Sequence, residues 1–383
     1  MIRETILTDA TLVLPDRVMP GTVVLRDGLI AAVDTGRSHA PGATELGGDY
    51  LLPGIVDLHT DNLERQAQPR INARWPSRSA MLVHDAQTAA AGVTTVLDAL
   101  CVGDINSGGG RDRTFREGVA DLDALDAVGA LKCDHFLHLR CELPAPEMLD
   151  LLAGVAEHPR LRLVSLMDHC PGVGQFTDMA RYRAMLARDG FSPEAAERRI
   201  EELLSLRERF AAPNRAALLA RLSGRHIPLA AHDDWSAEAV ARNAADGVRI
   251  SEFPVNPEAA RAARVQEMSV IVGAPNLVRG GSHSGNVSAL ALWREGLADA
   301  IASDYVPAAM LEAAWRLATE PGTDLTAAVR SITDTPARMV GLQDRGRIAA
   351  GLRADLLRVR PLPDSVGGLP VVRAVWRGGE RIA

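Results

Sequence analysis

Histidines and carboxylates recur in this sequence at the ends of several apolar, strand-like runs, and together they are the side chains that ligate divalent metals. In Leu51-Leu-Pro-Gly-Ile55-Val-Asp57-Leu-His59-Thr-Asp61, His59 and Asp61 stand two residues apart at such an end. Side chains at i and i+2 of a strand share a face, so this pair can grip one ion. Glu142 closes His138-Leu-Arg140-Cys-Glu142, where alternation turns His138, Arg140 and Glu142 to one side. Asp168-His169 follow Val164-Ser-Leu-Met167, His232-Asp233-Asp234 follow Pro228-Leu-Ala-Ala231, and Asp304 closes Ala300-Ile-Ala-Ser303. One such histidine alone is more often a satisfied core residue; recurrence at successive strand ends points to a ligand set. Imidazoles with carboxylates suit borderline to hard divalent ions, zinc foremost, with manganese, iron and nickel compatible. Two ions sharing a bridging carboxylate would use this many ligands.

The elements that must position these residues alternate regularly. Strand-like runs span Ile55 to His59, Thr94 to Leu100, His135 to Glu142, Leu161 to Asp168, Ile227 to His232, Ile250 to Val255, Met268 to Ala274 and Ala300 to Asp304. Helical stretches lie between them, among them His84 to Ala91, Arg113 to Ala127, Pro146 to Glu157, Ser236 to Asp246 and Ser288 to Gly296. That order predicts an α/β fold with a parallel sheet, and eight strands is the count of a closed (β/α)8 TIM barrel, whose strand C-termini open onto one face. The stretch from Thr177 to Leu222 is far longer than a usual crossover and reads as a helical cap or an oligomer contact. Both chain ends read as short strands: Asp27-Gly28 between two apolar runs is a hairpin signal, and tight turns recur up to Gly378-Gly379. Neither end holds enough strands for a stable sheet alone, so they should pair into one small β domain. The expected plan is residues 1–50 and 341–383 for that domain and 51–340 for the barrel, with the helical insertion at 177–222.

Composition excludes several classes. The 383 residues carry a net charge of −7, with 47% hydrophobic and 24% charged residues, as in soluble globular proteins. Basic residues are spread along the chain, which gives no support to a nucleic-acid surface. No apolar run approaches the roughly 20 residues of a membrane span, and Arg3, Glu4, Asp9, Asp16 and Arg17 stand where a signal-peptide core would lie, so a cytoplasmic address is expected. Cys101, Cys133, Cys141 and Cys170 have no CxxC spacing and read as small buried residues. Gly108-Gly-Gly110 lacks the spacing and following lysine of a phosphate-binding P-loop and reads as a flexible active-site loop. His39, His158 and His226 are expected in solvent; His84 begins a helix and His135 a strand, at the wrong end for a barrel site.

Pro53-Gly-Ile-Val-Asp57-Leu-His59, the later histidines, Asp304 and the closing Gly346-Arg-Ile-Ala-Ala-Gly351-Leu-Arg-Ala-Asp355-Leu resemble the amidohydrolase superfamily over nearly the whole chain. The resemblance implies a metal-bearing (β/α)8 barrel with a small β-sandwich built from both termini. The superfamily's usual first motif is His-x-His, and here Asp61 replaces the second histidine. His59-Thr-Asp61-Asn-Leu-Glu64-Arg, Glu252-Phe-Pro-Val-Asn256 and Gly273-Ala-Pro-Asn276-Leu-Val-Arg-Gly280-Gly281-Ser282-His283-Ser284-Gly285-Asn286 together resemble the diphosphatases of the carbon–phosphorus lyase pathway. Superfamily members often bridge two metals with a carboxylated lysine. Lys132, the only lysine, precedes Glu142 by ten residues, which at about 3.3 Å per residue puts it at the opposite mouth of the barrel. Glu142 is then the expected bridge, with His59 and Asp61 on one ion, His169 and His232 on the other, and Asp304 as ligand and general base.

The reaction implied is hydrolysis of a ribose triphosphate carrying methylphosphonate at its anomeric carbon, with release of pyrophosphate. The segment from Asn276 to Asn286 suits a polyphosphate: Gly280, Gly281 and Gly285 let backbone N–H groups approach phosphate, Arg279 supplies charge, and Ser282, His283 and Ser284 add donors. Arg140 adds a second cation, and His283 could protonate the leaving pyrophosphate. A homo-oligomer and contact with other phosphonate-pathway enzymes are compatible with this reading. The rival readings are an amidohydrolase acting on a cyclic amide, imide or amino-heterocycle, which would not need Arg279 or Arg140, and a non-catalytic barrel, which would have shed its metal ligands.

Overall fold

A computed structural model describes residues 4–70, 73–105, 110–282 and 284–383. Two compact units divide the chain: Met1–Leu97 with Asp121–His135 and Ala300–Ala383, and Asp98–Ala120 with Phe136–Asp299.

The expected barrel strands are Ile55–Thr60, Val93–Val102, Asp134–Glu142, Leu161–Met167, Leu229–His232, Ile250–Glu252, Ser269–Gly273 and Ala300–Ala302. They follow one another in sequence order in one eight-stranded parallel sheet, and a bridge between Thr60 and Asp304 joins its first strand to the segment after its last, so the sheet is a near-closed barrel. Ile55–Thr60 and Val93–Val102 are buried along their whole length. Strands covered on both faces lose the alternation of a half-exposed strand, and here they bury Asp57, Thr94, Thr95 and Asp98 along with the apolar residues.

In the first unit, both chain ends contribute to a second sheet, in which Glu4–Val13, Val18–Arg26 and Leu29–Thr35 from the N-terminal region join Leu356–Pro361, Pro370–Arg377 and Glu380–Arg381 from the C-terminal region. Tyr50–Pro53 is the join: it pairs antiparallel with Leu356–Val359 and parallel with Thr11 and Leu12. Asp27 and Gly28, at φ 50° and 86°, turn the expected hairpin, a conformation asparagine, aspartate and glycine tolerate. Leu7, Leu12, Val23, Leu25, Ile30, Leu356 and Trp376 form part of the core of this sheet.

Just before the third barrel strand, Asp85 gathers the chain. Its Oδ1 accepts from the Lys132 N–H at 3.0 Å and the Cys133 N–H at 2.9 Å, and lies 3.1 Å from His135 Nε2. The Lys132 amine donates to the Ile382 carbonyl at 2.8 Å. Asp134, beside them, pairs with Arg345 and Arg353, each at 2.7 Å, and with Arg377 at 3.5 Å.

In the second unit, the long insertion forms helices Met179–Arg188 and Pro193–Leu222, capped by the Asp178 and Ser192 side chains. It is anchored to the strand ends that bear candidate ligands. Asn214 Nδ2 donates to the Leu143 and Ala145 carbonyls at 2.9 Å, in the turn after Glu142. Arg207 Nε meets Asp168, the neighbour of His169, at 2.6 Å.

Several boundaries differ from the sequence reading: the strands expected over Ile250 to Val255 and Ala300 to Asp304 end at Glu252 and Ala302, and the helix expected over Pro146 to Glu157 spans Met148–Ala153. The helix expected from His84 runs Ser77–Ala90, with His84 buried inside it. Ala274–Arg279, read as part of a loop, is a short helix that ends at Gly280 in the left-handed conformation at φ 80°. The Gly108–Gly110 reading falls largely outside the described residues; Gly110 itself begins the helix Gly110–Ala127.

Candidate functional site

In the first unit, the sequence-predicted His59, Asp61 and Asp304 come together. One ligand atom from each lies within 4.8 Å of the other two, and His59 Nε2 is 3.5 Å from Asp61 Oδ1. The backbone explains the convergence: Asp304 N donates to His59 O at 2.9 Å and Asp61 N to Asp304 O at 2.6 Å, lacing the end of the first strand to the second residue after the eighth. Asp304 takes φ 56°, a left-handed conformation that turns the chain where a strand would otherwise continue. Beneath them Asp57 accepts from the His59 and Ser303 backbone N–H groups at 3.2 and 3.1 Å. Burial pushes its carboxyl up to about 6, against the pull of those donors.

In the second unit, the predicted Glu142, His169, His232 and Arg140 gather. His169 Nδ1 is 2.6 Å from Glu142 Oε2, and the His169 backbone N–H donates to Glu142 Oε1 at 2.9 Å. Both oxygens of the carboxylate expected to bridge two ions are thus engaged by one histidine. Burial opposes ionisation of Glu142, but the His169 ring and N–H outweigh it and hold the carboxyl below its usual range. The His169 and His232 rings meet edge to face at 5.6 Å, and Phe176 packs on His169 at 6.3 Å. Arg140 Nη2 lies 3.4 Å from His232 Nε2.

Two acidic neighbours of His232 escaped the sequence reading as site residues. Asp233 has an oxygen within 4.8 Å of ring nitrogens of His169 and His232. Its Oδ2 is buried without a hydrogen-bond partner among the described residues. Glu252, fully buried, sits 2.8 Å from His232 Nδ1 and accepts from Ser165 Oγ at 3.0 Å. The sequence signal was available: Asp233 follows the singled-out His232, and Glu252 opens one of the quoted motifs, at the end of an apolar run.

These residues fit divalent metals. The donors are imidazole nitrogens and carboxylate oxygens, and a buried carboxylate oxygen with no hydrogen-bond partner is one that a cation would satisfy. Burial, helped by Arg140, keeps the His232 pKa below its usual value despite Asp233 and Glu252, which favours the neutral ring that ligation requires.

The glycine-rich segment divides. Asn276 Nδ2 donates to the Val287 carbonyl at 3.0 Å and its Oδ1 accepts from the Ala289 N–H at 2.9 Å, so this amide closes the loop on itself. Arg279 and Gly280 are exposed, and Gly281, Ser282 and Ser284 are half-buried. Ser284 Oγ is 3.5 Å from Gln175, the neighbour of Phe176. Val287 N donates to Val255 O and Val255 N to Asp234 O, which stitches the loop to the ends of the fifth and sixth strands. His283 lies outside the described residues.

No model of a known protein family matches the chain. Among solved structures, N-acetyl-D-glucosamine-6-phosphate deacetylase from Mycobacterium smegmatis superposes with a TM-score of 0.63 at 16% identity, over 99% of this chain and 100% of that one. The 5-methylcytosine deaminase from Klebsiella pneumoniae gives 0.63 at 16%, over 99% and 98%. An amidohydrolase gives 0.62 at 18%, over 99% and 98%. These likenesses establish the amidohydrolase fold. The alpha-D-ribose 1-methylphosphonate 5-triphosphate diphosphatase of Escherichia coli (strain K12) is 40% identical over 380 residues, 98% of this chain and 100% of that protein. With end-to-end identity at that level on an amidohydrolase barrel, the chain belongs to the family of the alpha-D-ribose 1-methylphosphonate 5-triphosphate diphosphatases.

Proposed function

We propose that this protein hydrolyses α-D-ribose 1-methylphosphonate 5-triphosphate to the corresponding 5-phosphate and pyrophosphate. The observation that carries the reading is the 40% identity running the full length of a protein named for that activity. His59, Asp61 and Asp304 would hold one divalent ion and His169, His232 and Asp233 a second, zinc being the first choice on donor type and manganese, iron or nickel the others. Such ions would supply Lewis acidity, lowering the pKa of water and offsetting triphosphate charge. Asp304 accepts the proton of the attacking water. Glu142, expected from the sequence to bridge two ions, is assigned instead to orienting His169, because both of its oxygens face that residue.

Arg140, Arg279 and the backbone of Gly280 and Gly281 attract the polyphosphate, with Ser282, His283 and Ser284 as further donors and His283 as the acid for the leaving group. Asn276 shapes the loop rather than touching substrate. The test is to incubate metal-replete protein with the triphosphate and follow the products by phosphorus NMR. Pyrophosphate appearing with the 5-phosphate in equal amounts is expected. No turnover by metal-loaded protein would overturn the reading in favour of a cyclic amide or amino-heterocycle substrate.

A further inference from the structure

Behind the His232 imidazole lies a short series of buried polar groups drawn from three other strands. His232 and Glu252 are register partners on adjacent strands, and Ser165 is paired with Ala230 on one side and Arg140 on the other. Glu252, Ser165 and His138 are each wholly buried. Glu252 Oε2 lies 2.8 Å from His232 Nδ1 and 3.0 Å from Ser165 Oγ, and Ser165 Oγ lies 2.5 Å from His138 Nε2.

Donor chemistry orders the protons along this series. Ser165 Oγ donates to Glu252 Oε2, so that oxygen is an acceptor and takes the hydrogen that His232 carries on Nδ1 as well. The serine oxygen is then left to accept from His138 Nε2. The opposite face of the His232 ring agrees independently. Arg140, which has only donors, lies 3.4 Å from His232 Nε2, a contact that needs a lone pair on that nitrogen.

We propose that Glu252 is a positioning residue for His232, supported from behind by Ser165 and His138, and that this series fixes the Nδ1-protonated tautomer and leaves the Nε2 lone pair for a metal ion. The inference rests on the reading of His232 as a ligand. The uncharged Ser165 hydroxyl holds the Glu252 carboxylate in place, so the carboxylate acts on the imidazole and raises its basicity as a ligand. An arginine in the place of Ser165 would satisfy the same oxygen but neutralise that effect.

The experiment uses the full chain, stripped of metal and titrated with zinc against a chromogenic chelator. Glu252→Gln should weaken zinc binding about 10- to 100-fold. Ser165→Ala should weaken it less, and the double variant should bind no worse than Glu252→Gln, because the serine acts only through Glu252. Nitrogen-15 spectra of the imidazoles in the unsubstituted metal-free protein should show His232 protonated on Nδ1, a readout that holds even if a variant fails to fold. Wild-type zinc affinity in Glu252→Gln, loss of a whole zinc equivalent at saturation, additive effects in the double variant, or a proton on Nε2 would each overturn the proposal. If His232→Ala also bound zinc normally, the ligand assignment itself would be at fault rather than the role of Glu252.

Discussion

Replacing Asp304 separates what its carboxylate does from what its backbone does. The residue sits at φ 56°, with its N–H on the His59 carbonyl at 2.9 Å and its own carbonyl taking the Asp61 N–H at 2.6 Å. Asparagine populates the left-handed region at least as readily as aspartate, so Asp304→Asn should leave this lacing intact and the thermal midpoint close to wild type. Alanine has no such tolerance, and Asp304→Ala should cost a further 1–2 kcal/mol or so, the usual penalty for an ordinary side chain in that conformation. Both variants lose the group that takes a proton from water. General-base catalysis is worth about 10²–10⁴-fold, or roughly 2.7–5.5 kcal/mol of barrier, and turnover should fall by that factor in both. The assay is pyrophosphate release under saturating metal, with metal content measured on the same samples and stability followed by chemical denaturation. Asp304→Asn turning over within tenfold of wild type at unchanged metal content would refute the general-base role. An alanine variant as stable as the asparagine one would refute the backbone argument while leaving the chemistry untouched.

Other outcomes follow from features outside that residue. Burial opposes ionisation of Asp85, but His135 and the Lys132 and Cys133 N–H groups outweigh it and lower its pKa below 3.8. A depressed folded-state value stabilises above the unfolded pKa and is lost as pH falls through the folded one, so Asp85→Asn should lower the thermal midpoint at neutral pH and flatten its fall in acid. Asp134→Ala leaves Arg345, Arg353 and Arg377 without their shared carboxylate. Because Asp134, Arg353 and Arg377 are partly exposed, although Arg345 is buried, denaturant titration should read about 2–3 kcal/mol, below the 3–5 of a fully buried pair. Arg279→Glu, at an exposed site, should raise KM for the triphosphate about tenfold, or about 1.4 kcal/mol, with the thermal midpoint unmoved; an unchanged KM would remove Arg279 from the polyphosphate loop.

The barrel was legible because its signals are local. Each strand is a buried apolar run, and each polar terminus stands out against it, so His59, Asp61, Glu142, His169, His232 and Asp304 could be picked out before any geometry was known. Glu252, Ser165 and His138 could not be grouped that way: strand register, rather than sequence spacing, sets Glu252 beside His232 and Ser165 beside Arg140. The helix Ala274–Arg279 was hidden by the glycine and serine that follow it, although Pro275 in its first turn and Gly280 just past its end are the expected start and stop signals. Glu142 was read as a bridge from its type, its place at a strand end and the distance of Lys132, and only the positions of the His169 ring and N–H reveal what its two oxygens face.

With one lysine in the chain, a lysine-specific protease has a single internal bond to cut, the one following Lys132. That bond lies between two residues whose N–H groups are held by Asp85, and the lysine amine is itself tied to Ile382. Cleavage therefore requires this clasp to open, and at protease concentrations high enough to outpace reclosing, the rate at which two fragments appear on a gel measures how often a native molecule releases the segment leading into its third barrel strand.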